Sequence, residues 1–156
     1  TRLSWCGFEN NFLSGSIPST VGLWDNLKYM TLSSNNLSGT IPEELMSLSK
    51  LTSLWVDSNF LRGTLSTGVG NLVRLVRLDL KDNLLTGAIP SEVGLLTQLE
   101  DLWLSQNKFT NQIPSEIGRL GGKLVHLGLE DNSLTGTLPC LALASLTLLH
   151  TLHLGW

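Results

Sequence analysis

Two kinds of side chain in this sequence could carry chemistry or recognition. Trp55 and Trp103 are of the type that dominates protein-binding hot spots when the ring is exposed. Asp101, His126 and His153 carry the carboxylate and imidazole groups that acid–base catalysis and zinc binding require. Which of these roles is open to them depends on how the chain positions them, and a sequence repeat determines that.

The chain is self-similar with a period of 24 residues, and the repeat contains most of its 36 leucines. Position one of the unit is Leu, positions four and six are almost always apolar, and position nine is Asn. Position eleven is Leu or Phe, position thirteen is usually Gly, and an Ile-Pro or Leu-Pro pair usually follows. Complete units of 24 or 25 residues begin at Leu3, Leu27, Leu51, Leu75, Leu99 and Leu124, and a partial seventh begins at Leu149.

The repeat predicts one strand in each unit. Positions four and six alternate with polar residues, which indicates a short strand with one buried face. Because such a strand cannot bury its leucines alone, the units must stack into a parallel sheet with a continuous core. The proline suits the first position of a short helical turn, and the glycine suits a backbone with positive φ.

The Asn at position nine has a structural role in this interpretation. It lies where the chain leaves the strand, so its amide can satisfy backbone groups of the turn and of the neighbouring unit. The predicted ladder consists of Asn11, Asn35, Asn59, Asn83, Asn107 and Asn132.

This pattern resembles the leucine-rich repeat, and more closely its plant-specific subclass, L-x-x-L-x-L-x-x-N-x-L-x-G-x-I-P-x-x-L-G-x-L-x-x. The resemblance covers residues 1–156. It implies an α/β repeat solenoid, a right-handed superhelix with a concave parallel β-sheet and short helical or 3-10 turns on the convex side. Because the chain starts inside a repeat, ends inside a strand and has no polar cap, we expect a fragment of a larger protein.

The residues that could meet a partner are the outward ones of the strands. These are positions two, three, five, seven and eight of the unit, and the packing of the repeat does not dictate their identity. Aromatic residues exposed in a stripe are typical of binding surfaces. The predicted partner-binding residues are Trp5, Tyr29, Trp55, Arg77, Asp79, Asp101, Trp103 and His126.

Charge favours the same face. The outward positions carry eight acidic and three basic residues, a net charge of −5, whereas the whole chain carries −3. An acidic face with tryptophans favours a basic or polar peptide or protein and disfavours nucleic acid, which needs a basic surface.

Catalysis and metal binding are disfavoured. The repeat places Asp101, His126 and His153 on adjacent strands of a sheet, whose face splays the side chains apart, whereas zinc needs three or four converging ligands. The sequence contains no G-x-S-x-G, H-E-x-x-H or phosphate-binding loop. We therefore expect no catalytic residues, no metal and no cofactor.

The resemblance also implies a function. It is that of a non-catalytic module for protein or peptide recognition in an extracellular or cell-surface receptor-like ectodomain, binding a ligand or a co-receptor on the concave or lateral face. A secreted inhibitor of cell-wall enzymes is an alternative. Ser and Thr residues at positions twelve and fourteen, on a flat side of the solenoid, leave open a structural or ice-binding solenoid.

Two local signals complete the expectations. The tripeptide Asn36-Leu37-Ser38 is an acceptor sequence for glycosylation at Asn36. The apolar stretch 138–154 is interrupted by Pro139, Ser145 and His150, and its leucines follow the repeat, so we predict no membrane span within this segment.

Overall fold

Thirteen short strands alternate with short helices along residues 2–155, the part of the chain that this computed structural model describes. Thr1 and Trp156, at the two ends of the predicted solenoid, lie outside the described residues. In chain order the strands are β1 (Trp5–Gly7), β2 (Ser14–Ser16), β3 (Tyr29–Thr31), β4 (Asn36–Gly39), β5 (Ser53–Trp55), β6 (Phe60–Thr64), β7 (Arg77–Asp79), β8 (Leu84–Ala88), β9 (Asp101–Trp103), β10 (Lys108–Asn111), β11 (His126–Gly128), β12 (Ser133–Leu134) and β13 (Thr151–His153). The 3-10 helices are Ser19–Leu23, Glu43–Ser47, Thr67–Asn71, Ser91–Leu95 and Ser115–Leu120, and one α-helix, α1, spans Cys140–Ala144.

The odd-numbered strands form a seven-stranded parallel sheet. Each of its residues pairs with the residue 24 positions later, as in Trp5↔Tyr29, or 25 positions later across the one-residue-longer fifth unit, as in Asp101↔His126. Equal positions of successive units therefore lie side by side. This arrangement confirms the predicted α/β solenoid with a parallel sheet and short helical turns. We call the outward side of this sheet the concave face.

The even-numbered strands form a second, six-stranded parallel sheet, whereas the sequence predicts only one sheet. Its pairs are 22 residues apart, as in Ser14↔Asn36 and Arg62↔Leu84. Position twelve of one unit therefore lies beside position ten of the next. Each strand is anchored by a buried residue at position eleven, such as Leu61, and bends at a glycine such as Gly63, whose φ is 86°.

The strands of the seven-stranded sheet are shorter than predicted. They cover positions three to five only, and position eight adopts a left-handed backbone in all six complete units. Asp82 and Asp131, which the sequence places among the outward strand positions, therefore belong to a turn, with φ of 53° and 54°. Asn, Asp and Ser tolerate this conformation because their short polar side chains can bond locally.

The core lies between the two sheets and the helical turns. The leucines at position one are fully buried in the inner units, with 0% exposure at Leu27, Leu51 and Leu75. In the first and last units the same kind of residue is partly exposed, as at Leu3 (38%) and Leu152 (40%), because it has a neighbouring unit on one side only.

The Asn at position nine ties neighbouring units together. The Nδ2 of Asn83 donates to the carbonyls of Leu80 and Lys81 in its own unit and to that of Val56 in the unit before, at 3.0–3.2 Å. Its Oδ1 accepts from the backbone N–H of Leu61 at 3.0 Å. The same set of bonds recurs at Asn35, Asn59, Asn107 and Asn132.

The proline lies one residue earlier than predicted. At Pro18, Pro42, Pro90 and Pro114 it has an extended backbone and caps the helix, which then starts at the next residue. The fixed φ of proline suits this position as well, since no backbone N–H is needed there.

The helical turns approach one another closely at glycines. A Cβ added at Gly22 would lie 2.8 Å from the Cβ of Glu44 in the next unit, so position twenty requires glycine there. Unit two has Met46 at this position instead, and the facing residue of unit three is then Gly68, where an added Cβ would lie 3.1 Å from that of Met46. A large residue at either position is thus matched by glycine at the other.

Along residues 2–155, no helix has the length and apolar character that crossing a membrane would require.

Candidate recognition face

Seven strands place the predicted binding residues at positions three and five, pointing away from the core. In β1 and β7 the outer residues are exposed or half-buried while the central residue is buried. Trp5 and Tyr29 are the most open, at 64% and 49% exposure, and Arg77 is also exposed. The remaining predicted residues are half-buried: Trp55, Asp79, Asp101, Trp103 and His126.

The register divides these residues into two groups. Trp5 and Tyr29 are directly paired between β1 and β3, and the next residue of that row, Ser53, is buried. The other six lie together on β5, β7, β9 and β11, which we call the central patch. It consists of Trp55, Arg77, Asp79, Asp101, Trp103 and His126.

One row of the central patch is a chain of polar contacts. The Nε of Arg77 lies 2.9 Å from Oδ2 of Asp101, which is a charge-assisted hydrogen bond. The Nε2 of His126 lies 3.9 Å from the other oxygen of Asp101. On its far side, Nδ1 of His126 is 3.0 Å from the hydroxyl of Thr151. Arg77 and Asp101 therefore largely neutralise one another.

The second row contains the tryptophans. The ring of Trp103 stacks on His126, with a centroid distance of 5.9 Å and an interplanar angle of 17°, and lies 6.1 Å from His153. A Cβ added at Gly128 would come within 2.8 Å of this ring. Gly128 therefore leaves the space into which Trp103 leans.

Three residues that the list of predicted binding residues omits adjoin the central patch. Ser105 donates to Oε2 of Glu130 at 2.6 Å, and Nδ1 of His153 lies 3.6 Å from Oε1 of the same residue. Burial raises the pKa of Glu130, but its hydrogen bonds from Ser105 and from its own backbone, together with His153, bring it below the usual value. A signal was available in the glycine at position five of unit six, which leaves room for an aromatic neighbour.

Asp79 has the most perturbed acid–base behaviour on this face. Burial raises its pKa from 3.8 to about 6. The backbone N–H of Lys81, which donates to Oδ1 at 3.0 Å, opposes the rise, and the carboxylates of Asp57 and Asp101 add to it. Ionisation of Asp79 is therefore disfavoured by its own surroundings.

The face contains no metal-binding cluster within residues 2–155, where no three His, Cys, Asp or Glu residues are grouped closely enough to hold an ion. Asp101 and His126 approach one another, but His153 is directed towards Glu130. The three residues considered for zinc therefore belong to two different pairs.

The six-stranded sheet presents a mixed surface. Because of its offset pairing, Ser38 lies beside Phe60 and Thr86 beside Lys108. Phe60 is 54% exposed. Apolar and charged residues thus interrupt the Ser/Thr rows, which counts against a regular ice-binding array. Asn36, the predicted glycosylation acceptor, is exposed at the start of β4 on this sheet.

A family model described as Leucine Rich Repeat matches residues 26–48, 74–96 and 98–120. A comparison with curated proteins gave no match.

Solved structures with this fold are plant receptor ectodomains. The plant peptide hormone receptor RGFR1, solved in complex with RGF2, is 33% identical over 98% of this chain and 24% of its own, with a TM-score of 0.95. The Arabidopsis receptor kinase HAESA, in complex with the peptide hormone IDA and the co-receptor SERK1, is 33% identical over 97% of this chain and 28% of its own, with a TM-score of 0.88. This chain therefore spans about a quarter of the length of these receptors.

A shorter relative is covered more completely. A chain of the BIR3–SERK2 complex from Arabidopsis thaliana is 36% identical over 83% of this chain and 68% of its own, with a TM-score of 0.74. Together with the repeat pattern and the two parallel sheets, these similarities show that the chain belongs to the plant-type leucine-rich-repeat family.

Proposed function

We propose that this chain is a non-catalytic recognition module of an extracellular receptor-like protein and that its concave face binds a peptide or protein ligand. The central patch is the observation that carries this proposal. Its side chains add nothing to the core that a small polar residue would not allow, yet two of them are half-exposed tryptophans next to charged groups. Such a combination is typical of binding hot spots.

The relatives support the same proposal. RGFR1 was solved with RGF2, and HAESA with both a peptide hormone and a co-receptor. A peptide ligand, with a co-receptor as a second partner, is therefore the class of partner that we propose for this chain.

The size of the face limits how much of a partner it contacts. Seven strands at the usual spacing make a surface of about 29 Å by about 20 Å, on the order of 600 Å². A stable interface uses about 800 Å² on each partner. We therefore propose that the central patch supplies a part of the binding site, with its anchor residues, and not the whole site.

The test is a double substitution, Trp55→Ala with Trp103→Ala. A panel of secreted plant peptides and receptor ectodomains is first screened for binding to the chain by calorimetry or biolayer interferometry. Because two anchors are removed, we expect the affinity for any partner found to fall by about a hundredfold or more. Circular dichroism should remain unchanged, since both rings lie outside the core.

The matched control is Phe12→Ala with Phe60→Ala, which removes two exposed aromatic residues from the other side of the solenoid. This variant should bind as the unchanged chain does. Equal affinity of the double-tryptophan variant, or a panel in which nothing binds, would contradict the proposal.

We further propose that the chain is exposed to the secretory pathway and carries a glycan on Asn36, whose exposed position leaves room for one. Mass spectrometry of the chain secreted from plant cells should show a glycan at Asn36 that disappears in Asn36→Gln. An unmodified Asn36 in the secreted protein would contradict this.

A further inference from the structure

The inference concerns Asp79, at the middle of the central patch. Its backbone pairs with Trp55 of β5 on one side and with Trp103 of β9 on the other. The three residues therefore form one row across the sheet, with an acid between two aromatic residues. The row spans about 10 Å at the usual strand spacing.

Asp79 lacks the side-chain partners that the other half-buried acids of this face have. Asp57 accepts from the hydroxyls of Ser33 and Ser58, and Asp101 accepts from Arg77. Glu130 likewise accepts from the hydroxyl of Ser105. Asp79, by contrast, accepts one hydrogen bond, from the backbone of Lys81, and forms no ion pair within the described residues.

The nearest guanidinium does not serve it. Arg77 lies on the same strand, two residues before Asp79, but its Nε is bound to Asp101. A carboxylate that is partly withdrawn from water and left with one donor costs free energy when it is ionised. The cost is consistent with the raised pKa of about 6, and a cation supplied from outside would remove it.

The space over Asp79 is open to such a cation. Trp103 leans over Gly128, towards β11 and away from β7, so its ring does not cover the carboxylate. Trp55, on the other side, has no ring partner within the described residues and remains half-exposed. An aromatic face beside a carboxylate is a favourable environment for a guanidinium or an ammonium group.

From this geometry we infer that Asp79, with Trp55 beside it, binds the cationic side chain of an arginine or lysine residue of the partner. The inference rests on the proposed function and names the chemical group that the central patch selects. It also assigns different roles to neighbouring acids, since Asp101 is occupied by Arg77 and Asp79 is left for the ligand.

The site has a defined pH dependence. The carboxylate must be ionised to hold a cation, and its pKa in the free protein is about 6. Binding should therefore strengthen as the pH rises through about 6 and then level off. The charged groups that act on Asp79 are Asp57 and Asp101, which raise its pKa, and Lys81, which lowers it.

The experiment is a titration of the whole chain with N-acetyl-arginine methylamide, followed by the indole N–H signals of the tryptophans in NMR spectra. The uncharged citrulline analogue is the ligand control. We expect a saturable shift of the Trp55 signal, assigned with Trp55→Phe, for the arginine compound only. In Asp79→Asn binding should weaken about tenfold or more, and it should also weaken in the unchanged chain well below pH 6.

Asp131→Asn is the matched variant, because it removes an exposed acid from the turn that borders the same face. It should bind the arginine compound as the unchanged chain does. Equal shifts with the citrulline compound, no shift at all, or unchanged binding in Asp79→Asn would overturn the inference.

The two proposals fail in different ways. If the double-tryptophan variant loses a partner from the panel while Asp79→Asn keeps it, the recognition face stands and the cation site does not. If both variants keep the partner, the assignment of the face itself is wrong.

Discussion

At the scale of single residues, Asn83 illustrates how one side chain joins two units. Its amide makes four hydrogen bonds, two of them to the preceding unit, and it is buried. Asn11 occupies the same position of the first unit, but it is exposed and donates only to Phe8 and Glu9 of its own turn. The chain thus contains a connected and an unconnected copy of the same residue.

We predict that Asn83→Ala lowers the free energy of unfolding by about 2 to 4 kcal/mol, because it leaves several buried backbone groups without partners. Asn11→Ala should cost about 1 kcal/mol or less, since water can replace its bonds. Urea unfolding followed by circular dichroism measures both values. Equal losses would show that the bonds between units do not stabilise the chain.

The residue types on the concave face could be predicted from the sequence, because the repeat separates inward from outward positions. The pairing among them could not. Arg77 has acids on its own strand and on the next one, and only the structure shows that it binds Asp101 and leaves Asp79 without an ion pair. The direction of the Trp103 ring likewise depends on the space at Gly128, a contact between strands.

At the scale of elements, the seven-stranded sheet and the helical turns follow from apolar periodicity, which a single unit already displays. The six-stranded sheet does not, because its strands have one buried position each and pair with an offset of two residues from unit to unit. Such pairing depends on how the units stack, so a pattern within one unit could not reveal it.

The turn at position eight was missed for a related reason. Its left-handed backbone is carried by Asn, Ser, Asp or Gln and not by glycine, so the usual sequence signal is absent. The adjacent Asn of the ladder holds the turn in place by hydrogen bonds to its carbonyls, as Asn83 does for Lys81. A strained conformation is tolerated because the neighbouring side chain stabilises it.

At the scale of the whole molecule, stability comes from contacts between adjacent units, so a unit can be removed if its neighbours fit one another. Deleting residues 75–98 would bring Gly70 against Glu116, a pairing of the same kind as Gly22 with Glu44. Deleting residues 51–74 would instead bring Met46 against Glu92, with a side chain on both sides of a contact that elsewhere includes glycine.

We therefore predict that the chain lacking residues 75–98 unfolds at a clearly higher temperature than the chain lacking residues 51–74. Adding Met46→Gly to the second deletion should recover most of the difference, because it restores the glycine contact. Thermal unfolding followed by circular dichroism tests this. Equal melting temperatures, or no recovery with Met46→Gly, would show that the close contact between helical turns does not matter.

The pairing of Met46 with Gly68 also bears on how such a chain can change during evolution. Unequal recombination between repeated stretches of a gene adds or removes whole units, and each event would exchange one set of outward residues for another. At the junctions where glycine faces Glu44, Glu92 or Glu116, the product would keep its internal contacts. At the junction of units two and three it would not, so Tyr29 and Trp55, which these units carry, are expected to be inherited together as a block.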